Sequence, residues 1–144
     1  MKTVLKITLI FFLGVINLQA QTKSPVENIS PDPDKFNYFI EQVFNKPSSQ
    51  LKQEKANFWK LLSDLYNNRI TYIKPQEEPS NYSFISSAPI YNNKLKVSEK
   101  FNPKEFNPLN YKLNIHNSKS IEYYRIYDTG YYMVIKPYNQ SVFK

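Results

Sequence analysis

Residues 101–138 read FNPKEFNPLNYKLNIHNSKSIEYYRIYDTGYYMVIKPY. Two Phe-Asn-Pro turns open the stretch, Phe101-Asn102-Pro103 and Phe106-Asn107-Pro108. Proline keeps each preceding Asn out of the helical region, the Asn side chain can bond nearby backbone, and each phenylalanine can anchor its turn to the core. Three apolar runs follow, at 111–115, 121–127 and 131–137. In the first, Tyr111, Leu113 and Ile115 alternate with Lys112 and Asn114, the period of a strand wet on one face. Residues 116–120 form a polar hairpin loop, and Asp128-Thr129-Gly130 reads as a three-residue hairpin with Gly130 as its left-handed residue. An antiparallel meander is therefore expected.

Counting outward from that turn sets a register. Tyr127 falls opposite Tyr131, and one face carries Ile126 with Tyr132, Tyr124 with Val134, and Glu122 opposite Lys136. The other carries Tyr127 with Tyr131, Arg125 with Met133, and Tyr123 with Ile135. A charge pair such as Glu122 with Lys136 contributes only about 0.2–1 kcal/mol, but it favours this alignment. A two-residue Thr129-Gly130 turn would shift the register by one.

Upstream, the periodicity changes twice. Asp32 can cap a helix with Pro33 at its first position, and Phe36, Phe39, Ile40, Val43 and Phe44 share one face, ending near Asn45 before Pro47. Ser48 or Ser49 can start a second helix along Leu51, Phe58, Leu62, Leu65 and Tyr66, widened by Trp59 and Leu61 and ending near Asn67-Asn68. Together they read as an αα-hairpin, with Trp59 a core residue. From Arg69 the period becomes two. A short strand over 70–74 ends at Pro75, residues 76–80 form a loop, and 82–85 is an edge strand, since Pro89 argues against a central one. Asn92-Asn93 marks a turn, and 95–97 reads as another short strand.

The first twenty residues are an address. Lys2 and Lys6 precede a ten-residue apolar run, 7–16, and a polar stretch ending in Leu18-Gln19-Ala20, the layout of a signal peptide cleaved after Ala20. The run is shorter than the roughly 20 apolar residues of a membrane-spanning helix, so no transmembrane segment is expected after cleavage. The expected organisation is a signal peptide over 1–20, a flexible, Pro-punctuated leader over 21–33, and a single domain over 34–144. The compartment is periplasmic or extracellular.

Composition mainly excludes. The chain of 144 residues has no cysteine and one histidine, His116, so neither a disulfide framework nor a zinc site is expected. The twelve acidic residues form no calcium-loop pattern, and Gly130 is the sole glycine after the first twenty residues, which rules out Gly-rich phosphate loops. No cofactor is expected. The net charge of +7 rests on lysines spread singly, with Arg69 and Arg125 the only arginines, so nucleic acid is not an expected partner. His116, the sole candidate base of a hydrolase triad, lies in a polar loop and reads as a solvated turn histidine, and no carboxylate pair stands out, so no catalytic residue is assigned.

The constellation that remains is Tyr123, Arg125, Tyr127, Tyr131 and Met133, placed on one hairpin face by the register above. Tyrosines beside a guanidinium can stack on sugars or hold an anionic group. Tyr123, Arg125, Tyr127 and Tyr131 are the candidate binding residues, for an unidentified ligand or an envelope protein. A homo-oligomeric structural subunit burying that face is the alternative, and a small hydrolase the third reading. The signal ending Leu18-Gln19-Ala20-Gln21, with Phe106-Asn107-Pro108-Leu109-Asn110-Tyr111, Tyr123-Tyr124-Arg125-Ile126 and Ile135-Lys136-Pro137, resembles small exported proteins of Bacteroidetes that carry no assigned function. That resemblance implies a compartment and a similar domain, and no activity. The expected fold is α+β: an amino-terminal helix pair packed on an antiparallel β-meander.

Overall fold

A computed structural model describes residues 27–95 and 100–139. The fold is α+β, with three helices and a five-stranded, mostly antiparallel sheet. Asp32 caps as expected, its Oδ1 accepting from the Asp34 N–H at 3.1 Å, and a short 3-10 turn over Pro33–Lys35 leads into α1, Phe36–Phe44. Asn45 ends α1 in the left-handed conformation at φ 51°, which asparagine tolerates better than most residues. The buried face of α1 is the expected stripe of Phe36, Phe39, Ile40 and Val43.

The second helix is broken where one was expected. Helix α2 spans Ser48–Glu54, Lys55 leaves the helical region at φ −140°, and α3 spans Ala56–Asp64. An unbroken stripe from Leu51 to Phe58 needs an apolar residue one turn on, and that turn holds Glu54 and Lys55. The break lets Leu51 and Leu62 both reach the core. The chain then widens into a π-helical turn over Leu65–Arg69, two residues past the expected end, closed by the Ile70 N–H on the Leu65 carbonyl. This turn delivers Arg69 into the interior.

The sheet joins β1 (Glu27–Ile29), β2 (Ile70–Lys74), β3 (Ser83–Phe84), β4 (Glu122–Ile126) and β5 (Tyr131–Ile135) in the order β1-β2-β5-β4-β3. All neighbours are antiparallel except β3 with β4, which run parallel. The expected meander is thus corrected. Residues 111–115 form no strand, and β2, from far upstream, lies beside β5. The alternation at Tyr111 and Leu113 does reflect burial, but the backbone there is claimed by other partners. The Lys112 N–H donates to the Pro89 carbonyl at 2.7 Å, and the Ile115 carbonyl accepts from Arg69 Nη1 at 2.7 Å. Residues 27–29, expected within the flexible leader, pair with β2 as an edge strand. The strand expected over 95–97 falls mostly outside the described residues.

The hairpin register is also corrected. Tyr124 opposes Met133, Arg125 opposes Tyr132, and Ile126 opposes Tyr131. The turn is four residues long because Tyr127 leaves the strand, adopting φ 46°, and Gly130 follows at φ 73°. Two contacts hold Tyr127 there. Its hydroxyl meets that of Tyr111 at 2.7 Å, while Thr129 turns back, its N–H donating to the Ile126 carbonyl at 3.3 Å. Glu122 consequently opposes Ile135 and not Lys136, and its carboxylate accepts from Asn117 Nδ2 at 2.6 Å and the Tyr124 hydroxyl at 3.2 Å.

The inner sheet face carries Ile70, Tyr72, Ile126, Met133 and Ile135, all buried with the helix faces in one apolar core. The Phe-Asn-Pro doublet is a structural device, as expected. Phe101 and Phe106 pack on Tyr72 with ring centroids at 5.2 and 5.8 Å, and Asn102 and Asn107 accept from backbone N–H groups two residues on. Tyr72 is fully buried, yet its hydroxyl has no hydrogen-bond partner among the described residues. Removing an unpaired buried hydroxyl removes a desolvation cost, so Tyr72→Phe is expected to stabilise the fold by about 1 kcal/mol. Urea unfolding checks this; a loss of stability would mean that the hydroxyl has a partner in solution.

Candidate functional site

Because all the core contacts lie on one side, the other sheet face decides what the molecule can present. The register places Asn28, Ile73, Tyr132, Arg125 and Phe84 in a single row across all five strands, with Thr71, Val134 and Tyr123 in the next row. The β2–β3 connection covers the Tyr132, Arg125 and Phe84 part of this row. Tyr82 sets its ring edge-on to Tyr132 at 5.4 Å and to Phe84 at 5.6 Å. Glu78 holds Arg125 Nη1 at 2.9 Å, and the Arg125 guanidinium lies 5.9 Å from the Phe84 ring centre.

The cover is incomplete. Phe84 is 47 % exposed and Ile121, just before β4, is 49 % exposed, both large for apolar side chains. Phe84 also lines a cleft of about 580 Å³ with Ser86, Tyr127, Asp128 and Thr129, beside the hairpin turn. A guanidinium, flat aromatic faces and hydroxyl-bearing side chains are thereby contiguous at one edge of the sheet.

The four candidate binding residues do not share one face. Tyr123 and Arg125 point to the outer side, half-buried. Tyr131 points to the core side, its hydroxyl donating to Glu27 at 3.1 Å and its ring packed on Phe101 at 4.9 Å, under Lys74 at 5.5 Å. Met133 is buried on that side too. Tyr127 sits in the turn, where it borders the cleft. The structure brings Tyr82, Phe84, Tyr132 and Glu78 to Arg125 instead. The Tyr82-Ser83-Phe84 alternation on an edge strand was the available signal; Glu78 had none, because its partner lies 47 residues on.

Two polar atoms lie under the β2–β3 connection. Arg125 Nε and the Tyr132 hydroxyl are buried without a hydrogen-bond partner among the described residues, although they are cross-strand neighbours. Burial raises the Tyr132 pKa, and the Glu78 carboxylate, too far for a well-formed hydrogen bond but close enough to attract the phenol proton, raises it further. The Arg125 pKa is also raised, chiefly by its contact with the Tyr82 hydroxyl, and the residue stays charged.

Trp59 belongs to a satisfied helix network, donating from Nε1 to Ser48 Oγ at 3.0 Å while Ser48 Oγ donates to Asn37 at 2.7 Å. His116 is exposed, its ring 6.2 Å from that of Tyr138. Among the described residues, no group of three or more His, Cys, Asp or Glu could hold a metal ion, and no helix is long and apolar enough to cross a membrane. No family model, curated protein or solved structure matches the chain.

Proposed function

We propose that this is an exported, non-enzymatic protein that binds a ligand or an envelope partner through the outer face of its sheet. The observation that carries the reading is the row Tyr132, Arg125, Phe84, flanked by Tyr82 and Tyr123, left with its edge open while the opposite face is sealed by the core. Aromatic rings beside a guanidinium combine apolar area with a charged, directional donor, the mixture found at binding hot spots. The amino-terminal segment supports export on composition alone.

The test is a binding screen of the protein against envelope polysaccharides, lipids and envelope protein extracts, repeated with Tyr123→Ala, Phe84→Ala and Arg125→Gln combined. The expected result is a retained ligand lost by at least about tenfold in the triple variant, with its melting temperature changed little. Binding that is indifferent to all three substitutions overturns the proposal. Ligand-free self-association abolished by the same variant would favour the assembly subunit, for which exposed Phe84 and Ile121 are the relevant surface.

A further inference from the structure

Resting on that reading, we infer that the outer face recognises the carboxylate of an acidic sugar, a uronate within an oligosaccharide, and that Glu78 occupies the carboxylate position when the site is empty. Three features place an acid there. Arg125 Nη1 is already engaged by a carboxylate, that of Glu78 at 2.9 Å. Arg125 Nε is a further donor, buried and without a partner among the described residues, and the Tyr132 hydroxyl, its cross-strand neighbour, lies beside the same Glu78 carboxylate. The Tyr82 hydroxyl lies 3.5 Å from Nη1. A guanidinium has a planar fork suited to two carboxylate oxygens, and Glu78 is seen to satisfy one nitrogen of it.

The Glu78 contact is also easy to displace. The Glu78 side chain is 60 % exposed on an irregular connection, and an exposed ion pair of this kind holds weakly. A ligand carboxylate bringing further contacts can therefore take its place. Those contacts favour a sugar over an acidic peptide. Phe84 and Tyr82 offer flat rings for the C–H face of a pyranose, and the adjoining cleft presents Ser86 and Asp128 for the hydroxyls of a neighbouring unit. Asp128 in that cleft disfavours a second acid beside the first, so an isolated uronate among neutral sugars suits the site best.

Calorimetric titration with a uronate-containing oligosaccharide, a neutral dextran oligosaccharide and poly-glutamate tests this. The uronate oligosaccharide is expected to bind at least about tenfold tighter than either of the others, and Glu78→Gln to tighten it by a further two- to fivefold, roughly, by removing the internal competitor. Glu77→Gln makes the same change in net charge one residue away and is expected to leave the affinity unaltered; Arg125→Gln is expected to abolish binding. Equal effects of Glu77→Gln and Glu78→Gln would reduce the result to net charge and overturn the inference, as would poly-glutamate binding as tightly as the sugar. If Phe84→Ala weakens binding of some ligand while Glu78→Gln changes nothing, the outer face binds but not by this exchange. If no ligand responds to Phe84→Ala, the underlying binding function fails with it.

Discussion

Raising the pH from about 9 to about 11 is expected to destabilise this protein by about 4 kcal/mol, because tyrosines that fill its core cannot ionise in place. Burial pushes the Tyr66, Tyr72 and Tyr111 phenols above the ordinary tyrosine range, and Tyr124, half-buried beside Glu122, is pushed up to about 12. Each is held neutral in the folded chain and loses its proton near pH 10 in the unfolded one. Above that pH the unfolded state therefore binds fewer protons, and stability falls as pH rises; below it the contribution is constant. For the core phenols of Tyr66, Tyr72 and Tyr111 the loss by pH 11 is about 1.4 kcal/mol each, about 4 kcal/mol together. That is a large part of the roughly 5–15 kcal/mol that holds a domain of ordinary stability. The last part of the tyrosinate absorbance near 295 nm, that of the buried phenols, is expected to appear only as the far-ultraviolet circular dichroism is lost. Titration of all twelve phenols near pH 10 with the secondary structure intact would show that the core tyrosines are wet.

The second large effect centres on Arg69, which is only 4 % exposed. Its Nε donates to the Lys136 carbonyl at 2.9 Å and its Nη1 to the Ile115 carbonyl at 2.7 Å, with Asp64 at 3.8 Å and the Tyr138 ring 5.6 Å away. The Lys136 N–H returns a bond to the Arg69 carbonyl at 3.0 Å. One side chain thus ties the end of the helical layer, the loop before β4 and the end of β5. Arg69→Met is expected to cost about 3 kcal/mol, from two orphaned carbonyls and a part-buried Asp64 left without its cation. Arg69→Lys is not expected to rescue it, since a single ammonium cannot span both carbonyls. Urea denaturation decides the matter; a lysine variant as stable as the parent would mean that only the charge counts.

How far these features can be read from the chain depends on the range of the interactions that fix them. Helix α1 was legible because its cap, its stripe and its Asn45 terminus are all local. The break at Lys55 was legible in principle, since Glu54 and Lys55 interrupt the stripe between Leu51 and Phe58. The strand over 111–115 was not. Tyr111 and Leu113 alternate as a strand does, but the backbone bonds that settle the conformation come from Pro89 and Arg69, distant in sequence. The pairing of β2 with β5 likewise joins residues 65 apart at Ile70 and Ile135. The hairpin register turned on one residue. Gly130 as the left-handed position was correctly placed, whereas Tyr127 also turned left-handed, held by a hydroxyl contact to Tyr111 that no local pattern announces.

That single residue divides the tyrosines between core and surface. With Ile126 opposite Tyr131, Tyr123 and Arg125 face outward and Tyr131 faces inward; a shift by one would reunite them. The chain has no cysteine, so paired cysteines can report the register without interference. Tyr123→Cys with Val134→Cys puts two thiols directly across the hairpin on the outer face, whereas Tyr124→Cys with Val134→Cys puts them on opposite faces. Under mild oxidation the first pair is expected to close into an intramolecular disulfide and the second to remain reduced. Closure of the second pair in preference to the first would contradict the register, and with it the outer face on which binding is proposed to rest.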